Sequence, residues 1–315
     1  MFNLSSTAKR RFLTAAAAAT ALVLTACGGG SDAAGTTAST ASTTPTSATS
    51  PAGTGAATGS SGSTSAPVDS AAFDLITPGT LTVGMNLQFR PEMYLDDAGN
   101  PAGYDVDLLN ALATEMGLTL NIQNLDFTGL IPGLQSRQFD LVSVGLTATD
   151  ERKQVVDFTR AYVPYTSVLA VAQGDTATPA IDTYNQGGQI ITALQGSSGE
   201  QLATETFPNA TVSGFADQSA ALLEVATGRA NGSVLEDYIL AQFQKANPDQ
   251  VKKADLPEPL ALGYGSWAVQ KGNSALVAAL DGFLCDQQND GGLAALYEKN
   301  FEVPAADFPT MPEGC

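Results

Sequence analysis

From Phe73 onward, short apolar runs alternate with amphipathic helical stretches, and this alternation limits the chain to an α/β architecture with a mainly parallel sheet. Leu81–Met85 reads as a strand. Residues 95–100 hold Asp96, Asp97, Gly99 and Asn100, which is turn chemistry. Over 105–116, Val106, Leu109, Leu112 and Met116 share one helical face, and Gly117 marks the stop. Residues 118–122 and 139–144 read as further strands, with a short helix beginning at 130–134 between them. The alternation then resumes. Strands are expected at 190–194, 211–215 and 233–235, and helices after Gly199, at 218–227 and at 238–245. Residues 264–269 are extended and apolar, and the tail from Asn273 is mostly helical. The chain has 315 residues; at about 100–200 residues per domain, that suggests two units. No internal repeat is visible.

The stretch before Phe73 has a different character. Lys9, Arg10 and Arg11 form a basic segment, and residues 12–24 are apolar and Ala-rich but too short to span a membrane comfortably. They end in Leu24-Thr25-Ala26-Cys27, which resembles a bacterial lipoprotein signal. On that reading residues 1–26 are a signal peptide and the Cys27 thiol takes the lipid. Residues 27–72 are dominated by Ser, Thr, Ala, Gly and Pro, and beyond Cys27 only Asp32 and Asp69 carry charge. Such a segment cannot bury enough apolar surface to offset its ordering entropy, so it reads as a disordered tether.

Composition excludes several function classes. There are 14 basic and 32 acidic residues, a formal charge of −18. That balance argues against nucleic acid as a partner, because phosphate binding needs clustered Lys and Arg, and it favours a soluble monomer. There is no His. Ser-His-Asp and Cys-His catalysis are therefore absent, as is the commonest zinc ligand. No metal, cofactor or catalytic residue is expected. Besides Cys27 the chain has Cys285 and Cys315; an even pair in an exported protein reads as a disulfide, with two free thiols as the alternative.

The most informative block runs from Leu125 to Thr159. A buried strand ends in Gly145 and Thr147, and a helix start follows. Thr149 suits its N-cap, and Asp150 and Glu151 suit its first turn. Arg152 breaks the pattern, because a cation near a helix N-terminus opposes the dipole. It is either a solvated side chain or a fork held for a carboxylate.

The segments "FTGLIPGLQ" and "FDLVSVGLTATDERKQVVDF", with "GNPAGYDVDLLNALATEMG" upstream and "QGSSGEQLA" downstream, resemble the amino-acid-binding class of bacterial extracellular solute-binding proteins, family 3. The resemblance spans about residues 78–302. It implies a two-lobed periplasmic-binding-protein fold of type II, its lobes joined by two hinge strands. One lobe would take 73–166 and 267–315, the other 167–266. Tyr165-Thr166-Ser167 and Gly265-Ser266-Trp267 would lie near the hinge, with ordinary packing the plainer role for Trp267. The implied function is capture of a free, polar amino acid outside the cytoplasm by a lipid-anchored protein. Its partners would be the permease subunits of an ABC importer.

Residue by residue, the resemblance puts Arg152 on the ligand's α-carboxylate, with Ser198 assisting at a helix start. It puts Gly145 and Thr147 on the α-ammonium, and Phe89 and Phe127 beside the ligand side chain. Asn86 matches a position where relatives that bind cationic ligands carry Asp. Glu236 stands where the family has an Asp that pairs with the ammonium, so either Glu236 or its neighbour Asp237 takes that role. "FRPEMY" replaces the usual "YPPFEY", which leaves Arg90 and Glu92 unusual at the pocket mouth; solvation is the plain reading for both. Two other functions share this fold: a cyclohexadienyl dehydratase-like enzyme, with Glu92 as the one odd general-acid candidate, and a ligand-sensing module.

Overall fold

The computed structural model describes residues 70–312 and 314–315. The expected signal peptide, lipid site Cys27 and tether lie outside the described residues, except that the last three tether positions fall in a 3-10 turn, Ser70–Phe73. In chain order the strands and helices begin with β1 (Thr80–Met85), then the short β2 (Gln88–Phe89), β3 (Met93–Leu95) and β4 (Pro101–Ala102), and helix α1 (Tyr104–Met116). They continue with β5 (Thr119–Asn124), α2 (Leu130–Gln135), β6 (Leu141–Leu146), α3 (Asp150–Lys153) and the long β7 (Val156–Ala172). After it come α4 (Ile181–Tyr184), β8 (Ile190–Leu194), α5 (Ser198–Thr206), β9 (Thr211–Phe215), α6 (Gln218–Ala226) and β10 (Gly232–Glu236). The last are α7 (Asp237–Ala246), β11 (Val251–Lys253), β12 (Ala261–Gln270), α8 (Ser274–Asn289) and α9 (Gly292–Phe301).

One sheet runs through both lobes in the order β5-β1-β6-β12-β7-β10-β8-β9, with β11 added to β7. The trios β5-β1-β6 and β10-β8-β9 are parallel. At the centre, β12 pairs antiparallel with both β6 and β7, and β10 pairs antiparallel with β7. The sheet is thus parallel only within each lobe. The expectation of a mainly parallel sheet fails at the centre because two strands carry the chain between lobes in opposite directions.

Strand β7 shows how the lobes are joined. Its first half contributes Val156, Tyr162 and Val163 to a large core shared with α1, α8, β1 and β6. Its second half alternates, as a strand must. Val168 and Ala170 pack with Leu222, Val225 and Leu240 on one face, while Leu169 and Val171 pack with Ile191, Ala203 and Phe207 on the other. Strand β12 runs alongside, Ala261 opposite Ser167 and Gln270 opposite Val156, with register shifts on both sides of Ser266. Trp267 is fully buried in the large core, stacked on Phe283 and tilted against Tyr162.

The capping logic holds at the helix ends. Gly117 closes α1 in the left-handed conformation, at φ 66°, where a Cβ would be strained. Thr149 Oγ1 accepts from the Arg152 amide at the start of α3, and Ser197 Oγ accepts from the Glu200 amide at the start of α5. At the other end of the chain, Cys285 on α8 and Cys315 are joined in a disulfide, their Cα atoms 5.5 Å apart. This bond returns the C-terminal segment to the first lobe, where Phe308 sits edge-on to Tyr297.

Candidate functional site

Between the lobes lies a cavity of about 40 Å³. The loop after β6 and the loop between β8 and α5 face each other across it. From the first lobe it is lined by Phe89, Glu92, Phe127, Gly145, Thr147 and Arg152. From the second come Ser197, Ser198, Gly199, Gln218, Glu236 and Tyr238, and Tyr165 stands where β7 crosses. Seven of the eight residues expected to meet a ligand therefore converge on one cavity.

Asn86 does not. Its Nδ2 donates to the Leu125 carbonyl at 2.6 Å and its Oδ1 accepts from Gln88 Nε2, so it braces a loop beside a separate surface depression. Asp237 is exposed and does not line the cavity, whereas the neighbouring Glu236 does. Glu236 occupies the N-cap position of α7 yet makes no side-chain cap, which leaves its carboxylate available to the cleft.

Arg152 is only 9% exposed. Its Nη1 donates to the Thr147 carbonyl at 2.9 Å and its Nη2 to the Gly196 carbonyl at 3.0 Å. Its guanidinium carbon stands 5.8 Å from the centre of the Phe127 ring. Among the described residues no carboxylate lies within ion-pair distance of it. Burial pulls its pKa below the ordinary arginine value, against the opposing influence of Tyr165 and Glu151.

The cleft is closed, and named bonds cross it. Besides Arg152 to Gly196, Thr147 Oγ1 donates to Ser198 Oγ at 3.0 Å and the Gln218 amide donates to Gln88 Oε1 at 3.1 Å. The Tyr238 hydroxyl donates to Glu92 Oε2. Tyr165 hydrogen-bonds Thr147, and burial, then the nearby Glu236 charge, pushes its phenol up to about 12.

Beneath the cavity lies a buried polar network. Trp267 Nε1 donates to Ser143 Oγ at 2.8 Å, and Ser143 Oγ donates to Asp105 Oδ2 at 2.6 Å. The Tyr162 hydroxyl also donates to Asp105 Oδ2, at 2.6 Å, and accepts from the Gly145 amide at 3.0 Å. The hinge Trp is thereby coupled to the glycine at the cavity floor. Gly145 has φ 56°, and a Cβ there would collide with the Glu92 carboxylate. No side chain fits that position.

Glu92 is the residue that sequence reasoning misjudged. It is 3% exposed and lines the cavity, while Arg90 is exposed and lies over the Tyr94 ring, 3.7 Å from its centre. Glu92 follows the Arg90-Pro91 turn and precedes the buried Met93, so the chain direction carries it inward. The signal was present as a departure from the family pattern, but direction into or out of the fold could not be read from it. Gln218 and Tyr238 carried no signal in a single sequence.

The comparisons agree with this architecture. The sequence model of the bacterial extracellular solute-binding proteins, family 3, matches residues 81–303. A probable histidine-binding protein of Neisseria gonorrhoeae is 28% identical over 235 residues, covering 73% of this chain and 87% of that protein. The arginine-binding extracellular protein ArtP of Bacillus subtilis is 28% identical over 226 residues, covering 70% and 86%. Among solved structures, an ancestral arginine-binding protein bound to glutamine superposes with a TM-score of 0.66 at 31% identity, covering 72% of this chain and all of that one. The ancestral amino-acid-binding protein AncCDT-1, a precursor of cyclohexadienyl dehydratase, gives 0.65 at 30% identity, covering 71% and 96%. With two lobes on two crossing strands, a cleft between them, and a family match over most of its length, the chain belongs to family 3 of the bacterial extracellular solute-binding proteins.

Proposed function

We propose that this protein is the lipid-anchored receptor of an amino-acid ABC importer, holding one free, polar amino acid between its lobes as a monomer and presenting it to the permease. The observation that carries this reading is Arg152: a buried guanidinium at the cleft whose hydrogen-bond acceptors, among the described residues, are the neutral carbonyls of Thr147 and Gly196. An uncompensated buried charge is costly, and a ligand carboxylate supplies the missing anion. Helix α5 begins at the same place with Ser198 and Gly199, and a helix N-terminus favours an anion. Glu236, Gly145 and Thr147 surround the remaining polar end of the cavity and suit an α-ammonium. Phe89 and Phe127 give the ligand side chain apolar walls. The names of the relatives, for histidine and arginine, support a polar side chain.

The lobe assignment 73–166 with 267–315 against 167–266 belongs to this proposal, and so does the anchor at Cys27. A cavity of about 40 Å³ has room for about three waters at roughly 10–15 Å³ each, so a ligand enters by parting the lobes. A dehydratase reading is favoured by one feature, the buried acid Glu92, and a turnover assay with prephenate-like substrates tests it. The receptor reading is tested by melting the purified protein with each common amino acid. One of them should stabilise it by about 2.7 kcal/mol at a hundredfold excess over Kd; no shift with any of them would overturn the reading.

A further inference from the structure

The cavity holds one more carboxylate than a simple amino acid needs. Among the described residues, the charged side chains lining it are Arg152, Glu92 and Glu236. A bound zwitterion satisfies Arg152 with its carboxylate and one of the two acids with its ammonium. Whichever acid takes the ammonium, the other remains in the cleft without a cation.

Glu92 is built as a ligand-facing group rather than a structural one. Oε2 accepts from Tyr238 across the cleft, but Oε1 is fully buried and has no hydrogen-bond partner. A buried polar atom left unsatisfied costs about 1–3 kcal/mol, more for a charged group. The carboxylate lies against the Gly145 backbone, beside the floor on which the ammonium is expected. We propose that Glu92 forms a second anionic subsite, which selects an amino acid whose side chain carries its own positive charge, of the lysine, ornithine or arginine class. This rests on the receptor reading above and names the side chain that reading leaves open.

The surroundings add a consequence. Asp105 and Tyr104 face Glu92 from α1, Tyr162 and Tyr165 from β7, Glu236 from the end of β10 and Tyr238 from α7. Burial, and then the Asp105 charge, raise the Glu92 pKa well above the usual carboxylate range. A cationic group docking there favours the ionised form and opposes that rise.

The test is calorimetry of the whole secreted protein with lysine, ornithine, arginine, glutamine, glutamate and leucine, repeated for Glu92→Gln. The expected result is tightest binding of the basic amino acids. Glu92→Gln should weaken them roughly 30-fold or more, and by more than it weakens any neutral ligand. If Glu92→Gln fails to fold, the wild-type selectivity decides alone. Preference for a neutral or acidic amino acid, or unchanged lysine affinity in Glu92→Gln, overturns the subsite and leaves the receptor reading standing. Absence of binding by all six removes the subsite, and the melting screen with every common amino acid then decides the receptor reading.

Discussion

Arg152 and Gly196 are bonded across the cleft: Nη2 of the arginine donates to the glycine carbonyl at 3.0 Å. The same guanidinium is thus both the proposed carboxylate fork and a latch between lobes. On that proposal a ligand carboxylate competes with two neutral carbonyls, and brings an opposite charge and a bidentate match that neither carbonyl has.

Arg152→Met should therefore weaken binding by about 2–5 kcal/mol, or roughly 30-fold to several-thousand-fold. Arg152→Lys should recover part of the loss, because an ammonium does not reproduce the planar fork. The protein should still fold without ligand, since the β6 core is untouched. Calorimetry with the amino acid found in the melting screen checks this; normal affinity in a well-folded Arg152→Met removes Arg152 from the site.

Ser143→Ala should destabilise the protein by about 1–3 kcal/mol. The hydroxyl is buried, accepts from Trp267 and donates to Asp105. Without it the indole N–H has no acceptor and Asp105 keeps only Tyr162. A chain of this size should lose about 2–4 °C in Tm per kcal/mol. An unchanged Tm would mean that the network contributes no stability.

Stability should fall as pH rises from about 4 through 7. Burial lifts Asp105 from 3.8 to about 7, against the opposing hydrogen bonds of Ser143 and Tyr162, and burial also raises Glu92 and Glu236. The folded protein keeps protons that the unfolded chain releases above its ordinary carboxylate pKa, so their contribution is full below that value and lost on passing the folded one. Urea melts at pH 5 and pH 8 should show the difference, and Asp105→Asn should reduce it. A flat profile over that window would falsify the assignment.

The disulfide closes the loop from 285 to 315. On the chain-entropy model a loop of this length contributes about 3–4 kcal/mol. Thiol counting on denatured, unreduced protein should find neither Cys285 nor Cys315 free, and reduction should lower Tm. Two reactive thiols in exported material would contradict the bond.

Cys27→Ser should abolish lipid attachment. Metabolic labelling with a palmitate analogue compares the mutant with the parent, and equal label in both would end the lipoprotein reading.

Much of the fold was legible because local signals agreed. Strands β8 and β9 match their expected limits, flanked by turns on both sides. Strand β7 was not legible from the residues themselves. At 17 residues it is about three times a usual strand, and Pro164 within it argues against a central position. It tolerates that proline where Pro164 lies opposite Tyr264, next to the register shift between Gly265 and Ser266. At the site, Arg152 stood out by opposing a helix dipole, but a solvated side chain and a carboxylate fork fitted that signal equally; its burial at the cavity comes from the fold. Asn86 looked equally polar, but its partners Leu125 and Gln88 turn it into a brace. Which way a lone polar side chain turns depends on neighbours distant in sequence, and Gln218 and Tyr238 reach the cavity only because the lobes close.

Gln88 lies outside the cavity yet fastens the second lobe through the Gln218 amide. A receptor that feeds a transporter has to let go as well as hold, and its dwell time depends on how fast the lobes part. A bond whose Gln88 end lies outside the cavity acts on that rate whichever ligand is held. Substitutions at Gln88 therefore offer a way to retune throughput while leaving the choice of cargo where it was.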